Sequence, residues 1–314
     1  MSRKVYRISI VLHALLMLSA GPVLADAPST ARPGDDQWIP SLSVILGFTN
    51  TKVDGTVETC EASFFVCNPS ISRPADQSQN KLNSITVGGT LQIETPTLPI
   101  PHLRPRLFFE GEISHVSSQR RSIAKEGDPS TVLTEPAGSV FPDSAILGQG
   151  SETDVDEKNI QYGAVAGISI PVDIGEWRLS IKPSARYLRK KLYFRGIVSN
   201  GDRPGVLAQP PPTAVLLLQD ETSLDVDAVG PGLEIELAAA EVGSLAASVY
   251  VSGGAYRILS DRSVDMQADG FDSEGNIRYF SDWSADIEPW IYRASVGMRI
   301  RWIGGRSGWF FLGD

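Results

Sequence analysis

Trp177-Arg178-Leu179-Ser180-Ile181-Lys182-Pro183-Ser184-Ala185-Arg186-Tyr187 decides the reading of this chain. Every odd position is apolar, aromatic or small, and every even position is Ser, Lys or Arg. Strict alternation is the mark of a β-strand with two unlike faces. Tyr292-Arg293-Ala294-Ser295-Val296-Gly297-Met298-Arg299-Ile300-Arg301-Trp302 keeps the same rule with the parity reversed. A soluble sheet also alternates, but it turns its apolar side into its own core. Here the polar faces of several strands carry fixed charges, which fits an enclosed polar interior with the apolar side turned to lipid.

Working outward, eight segments alternate in this way: about 38–49, 83–94, 103–115, 161–172, 177–187, 224–237, 245–258 and one ending at Trp302. Leu42, Val44, Leu46 and Phe48 share one face of the first, and Ile85, Val87, Leu91 and Ile93 share one face of the second. In the sixth, the apolar phase changes at Gly230-Pro231-Gly232, which predicts a β-bulge there. Three connections are short (95–101, 173–176, 238–243) and four are long and mostly polar (50–82, 116–160, 196–222, 259–288). Short and long alternate strictly. The prediction is an all-β, eight-stranded antiparallel up-and-down transmembrane β-barrel with long external loops. Residues 192–197 and 214–218 are read as extensions of the fifth and sixth strands beyond the membrane; pairing inside the barrel would raise the count to ten.

The ends of the chain read as processing and linker segments. Arg3, Lys4 and Arg7 make a basic start, 8–20 an apolar stretch, and Val23-Leu24-Ala25 a small-residue cleavage site, so 1–25 reads as a secretory signal peptide. Residues 26–36 form a periplasmic linker, 37–302 the barrel and 303–314 a C-terminal tail. Beyond the leader no run approaches the roughly 18 apolar residues of a membrane helix, so a span must be β. Cys60 and Cys67 are the only cysteines. In an exported chain they predict a small local disulfide. Two lone cysteines and two histidines past the leader make a poor metal set, and no cofactor is expected. A net charge of −9 argues against nucleic acid as a partner.

Parity also sorts the interior. Arg106, Glu110 and Glu112 of the third strand, Arg178, Lys182 and Arg186 of the fifth, and Arg293, Arg299 and Arg301 of the eighth point inward. Asp225, Asp227, Glu234 and Glu236 of the sixth complete a charge network. Arg178 is expected at the level of Glu236 and Arg186 at that of Asp227. Enclosed charges must be paired, because losing one partner costs about 3–5 kcal/mol. An eight-stranded lumen is just wide enough for side chains to fill, so the network reads as a plug; the alternative is a narrow or gated pore lined by the same charges. Trp38, Trp177 and Trp302 fall outward at one end, as an aromatic girdle does, with Tyr162, Tyr187 and Tyr292 nearer the other.

On these features the segment 38–302 resembles the small bacterial outer-membrane barrel families, of which the transmembrane domain of outer membrane protein A is the familiar example. The resemblance implies bacterial outer-membrane localisation, contact with outer-membrane lipid and lipopolysaccharide, and insertion by the barrel assembly machinery. Those families commonly end on an aromatic residue that the machinery reads; Met298-Arg299-Ile300-Arg301-Trp302 is similar to that signal, and Trp309-Phe310-Phe311 is a second candidate. Two further groupings are weighed as chemistry. His115-Val116-Ser117 is similar in spacing to the outer-membrane lipid A deacylases, which would make Ser117 a nucleophile, His115 its base and Asp156 a candidate orienting acid. Asp269, Asp272 and Glu274 are candidate oxygen ligands for a hard cation such as Ca²⁺, against the simpler reading as a solvated acidic loop. The expected function is a structural and surface-interaction protein that meets an external ligand through four long loops.

Overall fold

The structure, a computed structural model, describes residues 36–61, 66–67, 81–100, 103–118, 120–127, 132–133, 145–146, 150–157, 159–175, 177–201, 215–271 and 278–303. Eight strands form a ring: β1 (Ile39–Glu61), β2 (Lys81–Glu94), β3 (Arg106–Ser118), β4 (Ile160–Ile174), β5 (Trp177–Gly201), β6 (Val215–Val242), β7 (Leu245–Ile258) and β8 (Arg278–Trp302). Each pairs antiparallel with the next, and β8 pairs back onto β1, so this part of the sheet has no free edge. The β4–β5 and β6–β7 turns are tight because Gly175 (φ 59°) and Gly243 (φ 62°) occupy left-handed backbone that a side chain disfavours. The leader and the tail beyond Ile303 lie outside the described residues, as does Trp309-Phe310-Phe311.

The lower half of the ring is inverted relative to a soluble protein. Leu42, Val44, Phe48, Val87, Leu91, Phe109, Ile113, Leu233, Val251 and Ile300 are exposed on the outer wall, while Ser41, Ser43, Thr49, Thr86, Thr90 and Gln92 are buried inside. Trp38, Trp177 and Trp302 are exposed at the end that carries the tight turns. Tyr162, Tyr187 and Tyr292 are exposed toward the other end, joined by Trp290.

Above that level the pattern turns over. β1, β5, β6 and β8 continue well past the apolar belt, and four further strands join them, the short Val66–Cys67 pairing with the end of β1. Gly150–Asp156 pairs with Tyr193–Ser199 of β5, Arg121–Gly127 pairs with Gly150–Asp156, and Ser263–Phe271 pairs with the start of β8. The inward side chains of these segments form one apolar core that includes Val53, Leu82, Ile123, Val155, Phe194, Leu218, Met266 and Trp283. Gly196 makes the seat for the Trp283 indole: a Cβ there would fall 2.2 Å from its Cδ2. Much of what the sequence presents as four polar loops is therefore sheet around an apolar centre.

Three sequence expectations are corrected. The β5–β6 register runs unbroken from Leu179↔Leu237 to Gly201↔Val215, so no slip occurs at Gly230-Pro231-Gly232. The irregularity in β6 lies lower, between Ala238 and Ala240 in its pairing with β7. Unbroken parity turns Leu224, Val226 and Ala228 inward and Asp225 and Asp227 outward, onto the outer wall beside Arg189. Arg186 accordingly faces Gly230 across the ladder rather than Asp227, and Glu236 faces Ser180 rather than Arg178. The apolar phase change that imitates a bulge is the apolar face passing from the outer wall, at Leu233 and Ile235, to the interior, at Leu224, Val226 and Ala228.

Candidate functional site in the lumen

The inward charges are arranged in tiers. In the lowest tier Lys182 Nζ lies 3.0 Å from Glu94, 3.4 Å from Glu234 and 2.7 Å from Glu236. Arg299 donates to Glu110 at 2.8 Å, Glu234 at 2.5 Å and Glu236 at 2.6 Å. Arg301 donates to Glu94 at 3.3 Å and Glu236 at 2.6 Å. Lys182 and Arg299 are fully buried. Both also sit over aromatic rings, Lys182 over Phe108 at 5.3 Å and Arg299 over Tyr250 at 4.4 Å, which lowers the cost of desolvating the cations. Sharing each cation among several carboxylates is what makes such dense burial tolerable.

One step up, Arg186 hydrogen-bonds to the Ser184 hydroxyl at 3.1 Å and the Ser252 hydroxyl at 3.3 Å. Next comes a bidentate pair: Arg293 donates to both Glu112 oxygens, at 2.8 and 2.5 Å. Ser114 donates to Glu112 at 2.9 Å, and Gln161 donates to Ser114 at 2.8 Å. The highest tier joins Lys190 to Glu157 at 3.2 Å, with Lys190 also donating to Thr51 at 2.6 Å and Ser84 donating to Glu157 at 2.7 Å. Lys190 and Glu157 are buried. The apolar core begins immediately above them.

Not every inward-pointing charge joins a tier. Arg106 bonds the backbone carbonyls of Thr95 (3.0 Å) and Gln37 (3.2 Å) near the lower rim. Arg178 lies at the same end, half-exposed, 3.3 Å from Glu241. Glu94, which alternation already turns inward on β2, and the Lys190–Glu157 pair are additions to the charge network. Lys190 continues the Arg178, Lys182, Arg186 spacing of β5, a signal the sequence carries. Glu157 follows strand Gly150–Asp156 in the β3–β4 connection, where barrel parity gives no guidance.

The other groupings remain apart. His115 and Ser117 both face outward on β3, exposed, and the Asp156 carboxylate lies 3.6 Å from Arg120 instead of supporting His115. No hydrogen bond links His115, Ser117 and Asp156 among the described residues, so a triad is not assembled. Asp269 lies on Ser263–Phe271, whereas Asp272 and Glu274 fall outside the described residues, and no cluster of metal-ligating type occurs among the described ones. The backbones of Cys60 and Cys67 stand directly opposite each other in an antiparallel pair; their side chains, and with them the disulfide, fall outside the described ones.

No protein-family model and no curated protein matches the chain. Among solved structures it is similar to the outer membrane protease OmpT of Escherichia coli, at 7% identity over 82% of this chain and 96% of that one, with a TM-score of 0.26. It is also similar to a FadL homologue of Pseudomonas aeruginosa, at 10% identity over 85% and 90% of the two chains, with a TM-score of 0.21. Likeness at that level carries no inference about activity.

Proposed function

We propose that the chain is a bacterial outer-membrane β-barrel with a closed lumen, on the plan of the transmembrane domain of outer membrane protein A, that works as a structural and surface-interaction protein. The observation that carries this reading is the occupied lumen: charged side chains bonded at successive levels, most of them in ion pairs, with the uppermost level capped by an apolar core. A pore needs a continuous wet path, and neither tiers of buried, shared ion pairs nor a packed apolar core offers one. The apolar outer belt between aromatic rims supports the membrane placement. The charged outer walls of the extension are then what an external ligand or lipopolysaccharide would meet.

The same reading assigns residues 1–25 as a cleaved leader, Cys60–Cys67 as a disulfide, and the barrel assembly machinery as the partner of insertion. The test is to refold the mature chain into vesicles, establish the folded barrel by its cold-versus-boiled gel mobility, and record a planar bilayer. A heat-modifiable band with no steady conductance is expected. A steady opening would replace the plug with the narrow channel, and absence of the mobility shift would remove the membrane barrel itself.

A further inference from the structure

The outer wall is not uniformly studded with large side chains. Across β3 to β6 it dips into a cavity of about 860 Å³, floored by Gly111, Ala164, Ala166 and Ala185 and bordered by Phe109 and Tyr187. The registers put these positions in two adjoining rows. Gly111, Ala164, Tyr187 and Val229 lie in one, and Phe109, Ala166, Ala185 and Pro231 in the other. A Cβ built on Gly111 would meet no atom within 4 Å, so the dip is open outward. Elsewhere the belt carries mainly Leu, Val, Ile and Phe, with smaller residues at Gly89, Gly253, Ala255 and Ala294 but no second cavity of this size among the described residues. A recess of this size falls in the range that holds a compact organic ligand, about 300–1,000 Å³.

Its upper lip is charged. Tyr187 donates its hydroxyl to Asp227, and Arg189, beside them, reaches Asp225 only at 3.7 Å and Asp227 only at 4.0 Å. Arg257 stands directly across the ladder from Val229, exposed, and makes no ion pair among the described residues. Two arginines, one loosely paired and one without a carboxylate, therefore flank the mouth of an apolar recess. Guanidinium groups favour phosphate oxygens, which they can grip in bidentate fashion.

We propose that this recess is a binding site for a single phosphate-bearing membrane lipid, its acyl chains lying on the Ala/Gly floor and its phosphate held by Arg189 and Arg257. The occupant follows from position and charge. At the depth of the apolar belt only hydrocarbon would be abundant. At the adjoining lip Arg257, which has no carboxylate partner among the described residues, stands with Arg189 where a headgroup phosphate would sit, Asp225 and Asp227 lying on the Arg189 side alone. The difference from ordinary bilayer contact is residence: a seated lipid stays when bulk lipid is replaced by detergent. The inference rests on the membrane reading above.

The refolded mature chain is taken into detergent micelles, offered dimyristoyl phosphatidylglycerol or, separately, phosphate-free dimyristoylglycerol, and examined by native mass spectrometry. One retained phosphatidylglycerol per chain is expected, and little retained dimyristoylglycerol. Ala166→Leu with Ala185→Leu fills the floor and should lower retention by about tenfold. Arg189→Gln with Arg257→Gln should abolish the preference for the phosphate-bearing lipid while leaving the gel mobility shift intact. Several lipids retained without regard to either pair of substitutions would mean unspecific adhesion and overturn the site. A chain dimer disrupted by the leucine pair, with no lipid held, would assign the recess to a second copy and overturn it equally. Failure to fold into micelles at all would instead count against the membrane reading.

Discussion

The same strands build two halves with opposite face chemistry. Below, β5 turns Lys182 and Arg186 inward and Ile181, Pro183 and Ala185 outward; above, it turns Leu192, Phe194 and Val198 inward and Arg189 and Arg195 outward. β1 passes from inward Ser41, Ser43 and Thr49 to inward Val53 and Val57. β8 passes from inward Arg301, Arg299 and Arg293 to inward Ile291, Ala285 and Trp283. In β5 and β6 parity is unbroken across the change; what reverses is the chemistry on each face. On the membrane reading proposed above, the level of reversal, at Thr51, Lys190, Ala228 and Ile291, is where the wall would leave hydrocarbon and meet water. On that reading, lipid outside would leave the lumen as the only place for polar groups, and water outside would restore the ordinary hydrophobic core.

The comparison can be broken by exchanging one half's chemistry. Arg299→Met leaves the clustered Glu110, Glu234 and Glu236 short of their shared cation and should cost about 3–5 kcal/mol, read as a lowered urea midpoint in vesicles. The rim pair supplies the control: Arg178→Met should change stability by less than about 1 kcal/mol, because Arg178 and Glu241 are both half-exposed. If the two substitutions proved equal, the lumen tiers would not hold the lower half together. In the upper half Trp283→Ala empties the seat beside Gly196 and should cost about 3–5 kcal/mol. Its damage should stay above the belt, with faster exchange of Val53–Val57 amides and an unchanged gel mobility shift.

A smaller effect sharpens the boundary itself. Val44→Arg puts a charge on the lipid-facing wall and should cost about 2–4 kcal/mol if Val44 lies near the bilayer centre. Ser223→Arg places the same charge on the exposed outer wall of the extension and should stay within about 0.5 kcal/mol. A scan of outward arginines up β5 and β6 should show the penalty vanishing between Tyr187 and Arg189, and between Val229 and Asp227. A penalty continuing to Ser223 would place the upper half in lipid as well.

What the sequence discloses is set by where period two has a single meaning. The Trp177–Tyr187 and Tyr292–Trp302 segments lie wholly below the level of reversal, so alternation, parity and inward charge can be read directly. Lys182, Arg299, Glu234 and Glu236 are all placed inward by counting alone. β6 crosses the boundary, and its Leu224, Val226 and Ala228 look out of phase with Leu233 and Ile235 although the backbone does not slip. Asp225 and Asp227 are misassigned for that one reason. Strands Arg121–Gly127 and Gly150–Asp156 escape notice for another: they are short, polar outside, and paired through contacts distant in sequence. Glu157 shares their obscurity, and with it the partner of Lys190.

Gly150–Asp156 also supplies the smallest predicted effect. Its outer row carries Glu152, Asp154 and Asp156, facing Arg195 of β5, Lys125 and Ser122 of the neighbouring strand, Arg120, and Glu221 of β6. Burial, reinforced by the neighbouring Glu152 charge, pushes the Asp154 carboxyl up to about 6, although Arg195 pulls the other way. The folded state therefore holds this proton more tightly than the unfolded chain, whose carboxyl titrates near about 4. Stability from that source is complete below about pH 4, is lost as pH rises to about 6, and does not return above it. Amides of Ser151–Asp156, corrected for intrinsic exchange, should be better protected at pH 4.5 than at pH 7, and Asp154→Asn should flatten that difference. Equal wild-type protection at both pH values would mean that the Arg195 contact outweighs burial, and that this outer row is solvated like the rest of the extension's wall.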